Sequence, residues 1–449
     1  MIGIIFGWPS LQYVLQREGY FSYLCDETTG NHTLQNRTEK VCEESEESFN
    51  LVFTLSLFSL CIFAVFEGHL LDRFGTWIVR SFGTFLLTLG CILIAVSTPA
   101  TSWLLYPAMI FMGISGSTFL ISNMQVANLA GSQTRGLIIT FLNGIFDSGA
   151  VVFLIIKSAY DFGYDLKHVF HVYAWCTLFT WLRTFALMPS QRIPFSVTTK
   201  NFFYGWKEWV CFKKRYDKTE DPDIFTTDDE SAAANIQEVG TTFGDCLRKV
   251  LFWSNAFHLS TTSLRINFYF GSFITWIDSF ESPSNSSHLT NVFGIMLLCG
   301  FIAAPLNGLL VDGVIKFSKI KSLPTRVGLL RAAFASMLMT SVLAILLSVS
   351  VITQSSYASF AFLVITRAFV YGGNTTFLAM HFPEQHFGKL YGLTTAIAGT
   401  ASSLQYALFQ LASSVDPTFY FINYSFLVVA CLTLVHPLLL SLQEGIKLC

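Results

Sequence analysis

The sequence predicts an all-α polytopic membrane protein built as two six-helix bundles, and three observations carry that reading. Only 12% of its 449 residues are charged, while 52% are hydrophobic and 16% aromatic, with a mean hydropathy of +0.53. A soluble domain carries roughly a quarter charged residues, so this chain cannot cover an ordinary water-facing surface. Apolar runs of roughly 20 residues recur, the length that spans ~30 Å of hydrocarbon as a helix. A polar turn, Gly68-His-Leu-Leu-Asp72-Arg73-Phe-Gly75, separates two such runs, and a shorter turn, Gly308-Leu-Leu-Val-Asp312, appears in the second half. Repeated membrane hairpins in one chain are the pattern of transporters.

The net charge of -2 gives no field for nucleic acid. The ten cysteines show no zinc spacing, and no nucleophile–base pair or phosphate loop marks a span end. The expectation is therefore no enzyme, no metal and no cofactor.

In order, the chain opens on an apolar stretch to Leu15 that contains Phe6-Gly-Trp8-Pro-Ser10. It has neither the cationic start nor the small-residue cleavage site of a signal peptide. It is short for a span, so the first helix is expected to be truncated at its inner end. An external loop, 16–48, follows, with glycosylation acceptors at Asn31 and Asn36 and two cysteines, Cys25 and Cys42. Outside the cell a disulfide between them would persist, although sequence alone leaves the pairing open. Spans are expected near 49–66, 78–96, 103–123, 137–156 and 169–187. Together they make an N-terminal six-helix bundle over 1–188. Residues 189–250, rich in charge, form a cytoplasmic linker with a surface helix near 202–212. The C-terminal six-helix bundle, 251–449, holds spans near 252–280, 292–311, 329–352, 358–380, 390–411 and 419–440.

Lys and Arg collect on cytoplasmic loops. Placing the Asp72 turn and the linker inside puts 19 of the 27 Lys and Arg on that side. Both termini are then cytoplasmic, and a third sequon, Asn285, falls outside. The segment from Asn123 to Gly136 is echoed at Asn374 to Gly388, as a duplication would leave it.

Gly68-x-x-x-Asp72-Arg73-x-Gly75 after the second of twelve spans resembles the cytoplasmic signature of the major facilitator superfamily, with Gly308 and Asp312 a degenerate second copy. Within it, the chain is similar to solute carrier family 43. The resemblance rests on Phe6 to Ser10, Asn123 to Gly131, Phe146-Asp147-Ser148, Phe153 to Lys157, Arg183 to Pro189 and Pro305 to Asp312. It continues through Arg367 to Asn374 and Phe382 to Gly392. The wording of the last two blocks is most similar to the branch of equilibrative nucleobase transporters; the other branch carries large neutral amino acids. The resemblance implies a major facilitator fold and facilitative, ion-independent movement of purine nucleobases (adenine, guanine, hypoxanthine) across the plasma membrane. The partners it implies are a small-molecule substrate and the lipid bilayer, with no obligate protein partner. The alternatives are an amino-acid uniporter and a non-transporting receptor or scaffold. The chain departs from the family in its short first span and in Arg265, where an aromatic or polar group is expected.

Ionised or polar side chains at mid-bilayer are costly, so the few present are candidates for substrate binding. These are Asn143 and Asp147 in the fifth span, Arg265 in the seventh, Arg367, Tyr371 and Asn374 in the tenth, and Gln405 in the eleventh, with Trp8 in the first. Amides would meet the donor and acceptor edge of a base, and Tyr371 or Trp8 would stack on its face. The competing reading is structural: an Arg367–Asp147 ion pair and interhelical amide hydrogen bonds. If Arg265 touches substrate it would suit a carboxylate, favouring an amino acid. His258 and His171 are expected at the interface. The Asp72 turn is expected to be a gating latch, with Arg73 pairing an acid such as Glu67.

Overall fold

The structure, a computed structural model, describes residues 3–25, 42–126, 138, 141–142, 144–146, 148–188, 242–321, 324–415 and 419–448. These form helices, with no strand among the described residues. We number the helices by span. In α8, α11 and α12 a break of one or two residues joins two segments under one label. In the first half, α1 is Trp8–Arg17, α2 Glu43–Leu71, α3 Arg73–Val96, α4 Leu105–Met124, α5 Val151–Asp161 and α6 Leu166–Leu187. In the second, α7 is Val250–Gly271, α8 joins Pro283–Leu298 to Gly300–Ile320, and α9 is Thr325–Ile352. α10 is Ser356–His381, α11 joins Glu384–Ser402 to Leu404–Val415, and α12 joins Tyr420–Leu432 to Val435–Leu448. Six of the described helices, among them α2, α3 and α9, are long and apolar enough to cross a membrane.

The two copies of the expected turn fold differently. Between α2 and α3 the helix reverses at Gly75, whose φ of 76° favours glycine. Gly308 and Asp312 do not form a turn. They lie inside α8, which runs on to Ile320, because the second copy has no glycine equivalent to Gly75. The expected tight turn there is corrected to a reversal after the end of α8.

Each half packs around its own polar and aromatic interior. In the first, Arg80 of α3 is buried and donates to Ser122 Oγ at 2.8 Å and Asn123 Oδ1 at 2.9 Å, both on α4. Phe119 lies 5.2 Å from its guanidinium carbon. Arg183 of α6 donates to the same Asn123 oxygen at 3.2 Å. Cys25 and Cys42 are disulfide-bonded, with Cα atoms 5.7 Å apart. This marks one end of the molecule; the Gly75 reversal marks the other. Before α7, Thr242 caps a short helix, Phe243–Arg248, and its hydrogen bonds hold the exposed Asp245 carboxyl below its ordinary range. Most of the expected linker, the surface helix 202–212, Asn31 and Asn36 lie outside the described residues.

Arg80→Leu would remove two buried charge-assisted hydrogen bonds to α4, leaving Asn123 Oδ1 with Arg183 alone. It should cost about 2–4 kcal/mol, whereas Arg73→Leu, at an exposed site, should cost about 0.5 kcal/mol or less. Thermal unfolding of the detergent-solubilised variants would check the contrast.

Candidate functional site

Three helices from both halves bring polar side chains to one buried layer. On α2, Asn50 and Thr54 share a face, being four residues apart. On α7, Asn267 and Gly271 do the same, and on α11 Ser402 and Gln405 are three apart. Gln405 Nε2 donates to Thr54 Oγ1 at 2.9 Å, tying the halves together. The Thr54 hydroxyl donates to the Asn50 carbonyl at 2.8 Å, with Asn50 Oδ1 at 3.4 Å. Asn267 Nδ2 donates to Ser402 Oγ at 3.1 Å. Asn50 packs on Gly271, where a Cβ would stand 2.7 Å from Asn50 Nδ2. Asn50, Gln405 and Asn267 are all at least 98% buried.

Aromatic rings wall this layer. Trp8, from α1, is fully buried, stacks on Phe53 at 6.3 Å and tilts against Phe49. Phe270 packs on Phe53 and Phe6. The Arg367 guanidinium of α10 lies 3.9 Å from the Phe6 centroid, 4.9 Å from Phe270 and 6.0 Å from Tyr371. Cation–π contacts of this kind hold a charge where water does not reach.

The layer is sealed toward the disulfide end. Lys157 of α5 has no exposed side-chain surface. It donates to Asp161 at 2.9 Å on its own helix, and to Ser287 at 3.0 Å and Asn291 at 2.8 Å on α8. Tyr13 of α1 roofs its ammonium, with the ring centroid 4.5 Å away. Gln410 Nε2 donates to Glu47 at 3.0 Å, and Ser148 Oγ to the Leu298 carbonyl at 3.1 Å. On the Gly75 side of the layer, Cys61 of α2 meets Gly399 of α11. Nearer that end, a Cβ at Gly68, Gly388 or Gly392 would meet nothing within 4 Å.

The predicted candidates therefore divide. Trp8, Arg367, Tyr371 and Gln405 surround the layer. Asn374 instead accepts from Asn255 at 2.8 Å, inside the second bundle. Arg265 also turns into that bundle, donating to Ser348 on α9 at 3.4 Å with Phe426 of α12 5.2 Å away. Asn143, Asp147 and the Asp72 side chain lie outside the described residues. Asn285 donates to Glu281 at the start of α8. Two expectations need correcting. His258 is buried, bonded to Ser341 at 3.1 Å and 5.5 Å from the His436 ring, so it is not interfacial. Glu67 faces inward and accepts from Ser117 at 3.1 Å, while Arg73 is exposed against Phe74; Glu67 is therefore not its partner. Asn50, Thr54 and Ser402 were missed because Asn, Thr and Ser within an apolar run look like ordinary helix-packing residues. The i, i+4 spacing of Asn50 and Thr54 was the available signal.

The Major Facilitator Superfamily family model matches residues 28–441. The chain is 32% identical to equilibrative nucleobase transporter 1 of Bos taurus, over 98% of this chain and 92% of that protein. It is 24% identical to large neutral amino acids transporter small subunit 3 of Homo sapiens, over 91% and 84%. A solved D-xylose–proton symporter shares the fold, with a TM-score of 0.59 at 13% identity over 98% of this chain and 94% of that one.

Lys157→Met should leave Ser287 and Asn291 unpaired and weaken the seal. The expected loss is about 1–3 kcal/mol. It should appear as a lower apparent Tm and as faster thiol labelling of a cysteine introduced at Tyr13.

Proposed function

The chain belongs to the Major Facilitator Superfamily, and from that premise we propose that it moves purine nucleobases across the plasma membrane, down their gradient and without ion coupling. As a member it is a multi-pass membrane transporter of a small molecule, not an enzyme. The observation that carries the nucleobase reading is the chemistry of the buried layer. Trp8 Nε1, Asn50 Nδ2, Gln405 Oε1 and Asn267 Oδ1 lack hydrogen-bond partners among the described residues. They are two donors and two acceptors, all uncharged, walled by Phe49, Phe53 and Phe270. A nucleobase offers a matching neutral edge and two π faces. An amino acid brings a carboxylate and an ammonium, each needing an opposite charge or a set of directed dipoles. Arg265 is turned into the second bundle, and Arg367, which borders the layer, lies against the Phe6 and Phe270 rings. The similarity to the bovine nucleobase transporter supports the same choice.

Cargo crosses by alternating access. The contacts of Lys157 and Glu47 with the second half belong to the outside-closed state, and the Gly75 end faces the cytoplasm. In this reading Asp72, Arg73, Gly68 and Gly75 form the inner latch, with Gly308 and Asp312 on the second half. Asn143 and Asp147, on the fifth span, join the substrate layer. Asn31, Asn36 and Asn285 are glycosylated outside, both termini are cytoplasmic, and 189–250 links the halves on that side.

Uptake of radiolabelled adenine, hypoxanthine and leucine into cells expressing the chain tests the proposal. Adenine and hypoxanthine uptake insensitive to proton and sodium ionophores is expected. Leucine uptake without adenine uptake would establish the amino-acid alternative. Trp8→Leu should lower base uptake roughly tenfold at unchanged surface level, since one aromatic stack is worth about 1–3 kcal/mol.

A further inference from the structure

One amide from each half lies at the Thr54 hydroxyl, whose own proton goes to the Asn50 backbone carbonyl at 2.8 Å. Gln405 of α11 donates to the hydroxyl oxygen, and the Asn50 side-chain oxygen of α2 lies 3.4 Å from the same atom. Each amide thereby turns its other end away from the shared hydroxyl, and those ends make no hydrogen bond to the described residues. On the first half the free group is a donor, Asn50 Nδ2; on the second it is an acceptor, Gln405 Oε1. Gly271 leaves the Asn50 amide its space. Buried polar atoms without partners are uncommon, and one from each half, on amides gathered at the same Thr54 hydroxyl, points to a ligand that meets both.

We propose that Asn50 and Gln405 jointly read one edge of the cargo, so that the bound base completes a hydrogen-bonded bridge between the halves. The complementary ligand carries a hydrogen-bond acceptor beside a donor, as in the lactam N–H and C=O of hypoxanthine or the amino and ring nitrogens of adenine. This rests on the nucleobase reading and deepens it: Asn50 becomes a specificity residue, and the cargo becomes part of the interface whose rearrangement carries it across. A ligand shifts a conformational equilibrium only through contacts that differ between the states, and a bridge between moving halves is such a contact.

The 449-residue chain carrying Asn50→Leu, Gln405→Met or Gly271→Ala would be compared with wild type. The readouts are hypoxanthine uptake in cells and hypoxanthine-induced thermal stabilisation in detergent. Gly271→Ala displaces the Asn50 amide without removing it, and serves if Asn50→Leu fails to fold. The expected result is a KM raised about tenfold in each variant, with Vmax per surface molecule changed less. The ligand-free Tm should be near wild type and the hypoxanthine-induced shift lost. The double variant Asn50→Leu, Gln405→Met should be worse than either single one, and its KM should depart from the product of the two single effects, because both groups bond one ligand. Wild-type KM and a wild-type thermal shift in all three single variants would overturn the bridge while leaving the nucleobase reading standing. No hypoxanthine or adenine response in wild type itself would remove both.

Discussion

Hydrocarbon offers a polar atom nothing to bond, so every donor and acceptor that enters it has to be satisfied inside the protein. The cost of failing is several kcal/mol per group. That constraint shapes the backbone first, since helices satisfy their own N–H and C=O groups. It then sorts the side chains. Trp175, Phe179 and Ile78 are exposed on the outer faces, where lipid accepts them. Arg80, Lys157, Glu67, Arg265 and Arg367 are all buried, and each is turned toward other helices. Arg80 and Arg265 meet hydroxyls, Arg80 an amide as well, and both lie against aromatic rings. A buried charge dispersed over neutral dipoles and π faces does not demand a mobile counter-ion.

The same rule makes the contact between the halves easy to break. Lys157 carries its counter-charge, Asp161, on its own helix. Its bonds across the interface go to the neutral Ser287 and Asn291. Parting the halves there costs two hydrogen bonds, each worth about 1.5–3 kcal/mol when charged. It does not strand a lysine without its carboxylate, which would cost far more. The Gln405–Thr54 bond is neutral on both sides. An interface made this way can be rebuilt on every transport cycle.

Much of the architecture was legible. Runs of apolar residues located the helices because each must match the bilayer thickness, and Gly75 marked the first reversal because little but glycine holds its φ. The second copy of the motif misled: Gly308 and Asp312 kept the spacing but not the trailing glycine, so the helix continued through them. Trp8, Arg367 and Gln405 were recoverable as polar or aromatic groups placed where a bilayer would penalise them. Asn374 and Arg265 satisfied the same criterion yet point into the second bundle. Position along a helix gives depth in the membrane, whereas the partner is decided by rotation about the helix axis. His258 was misread for that reason. Its neighbours on α9 and α12, Ser341 and His436, are more than 80 residues away in sequence.

Two of the helix interruptions lie beside the polar layer. α7 ends its long segment at Gly271 before Ser272, next to Asn50, and α11 is interrupted at Ser403, between Ser402 and Gln405. α2, which faces them from the first half, runs without interruption from Glu43 to Leu71. The hydrogen-bond ladder carries through both interruptions: Ser272 N–H donates to the Phe268 carbonyl at 2.9 Å and Ser403 N–H to the Gly399 carbonyl at 3.2 Å. Movement of one half against the other would therefore change the distance between Asn50 and Gln405 before it disturbed the packing of either bundle. The groups that meet the cargo would then also be the ones that register the motion.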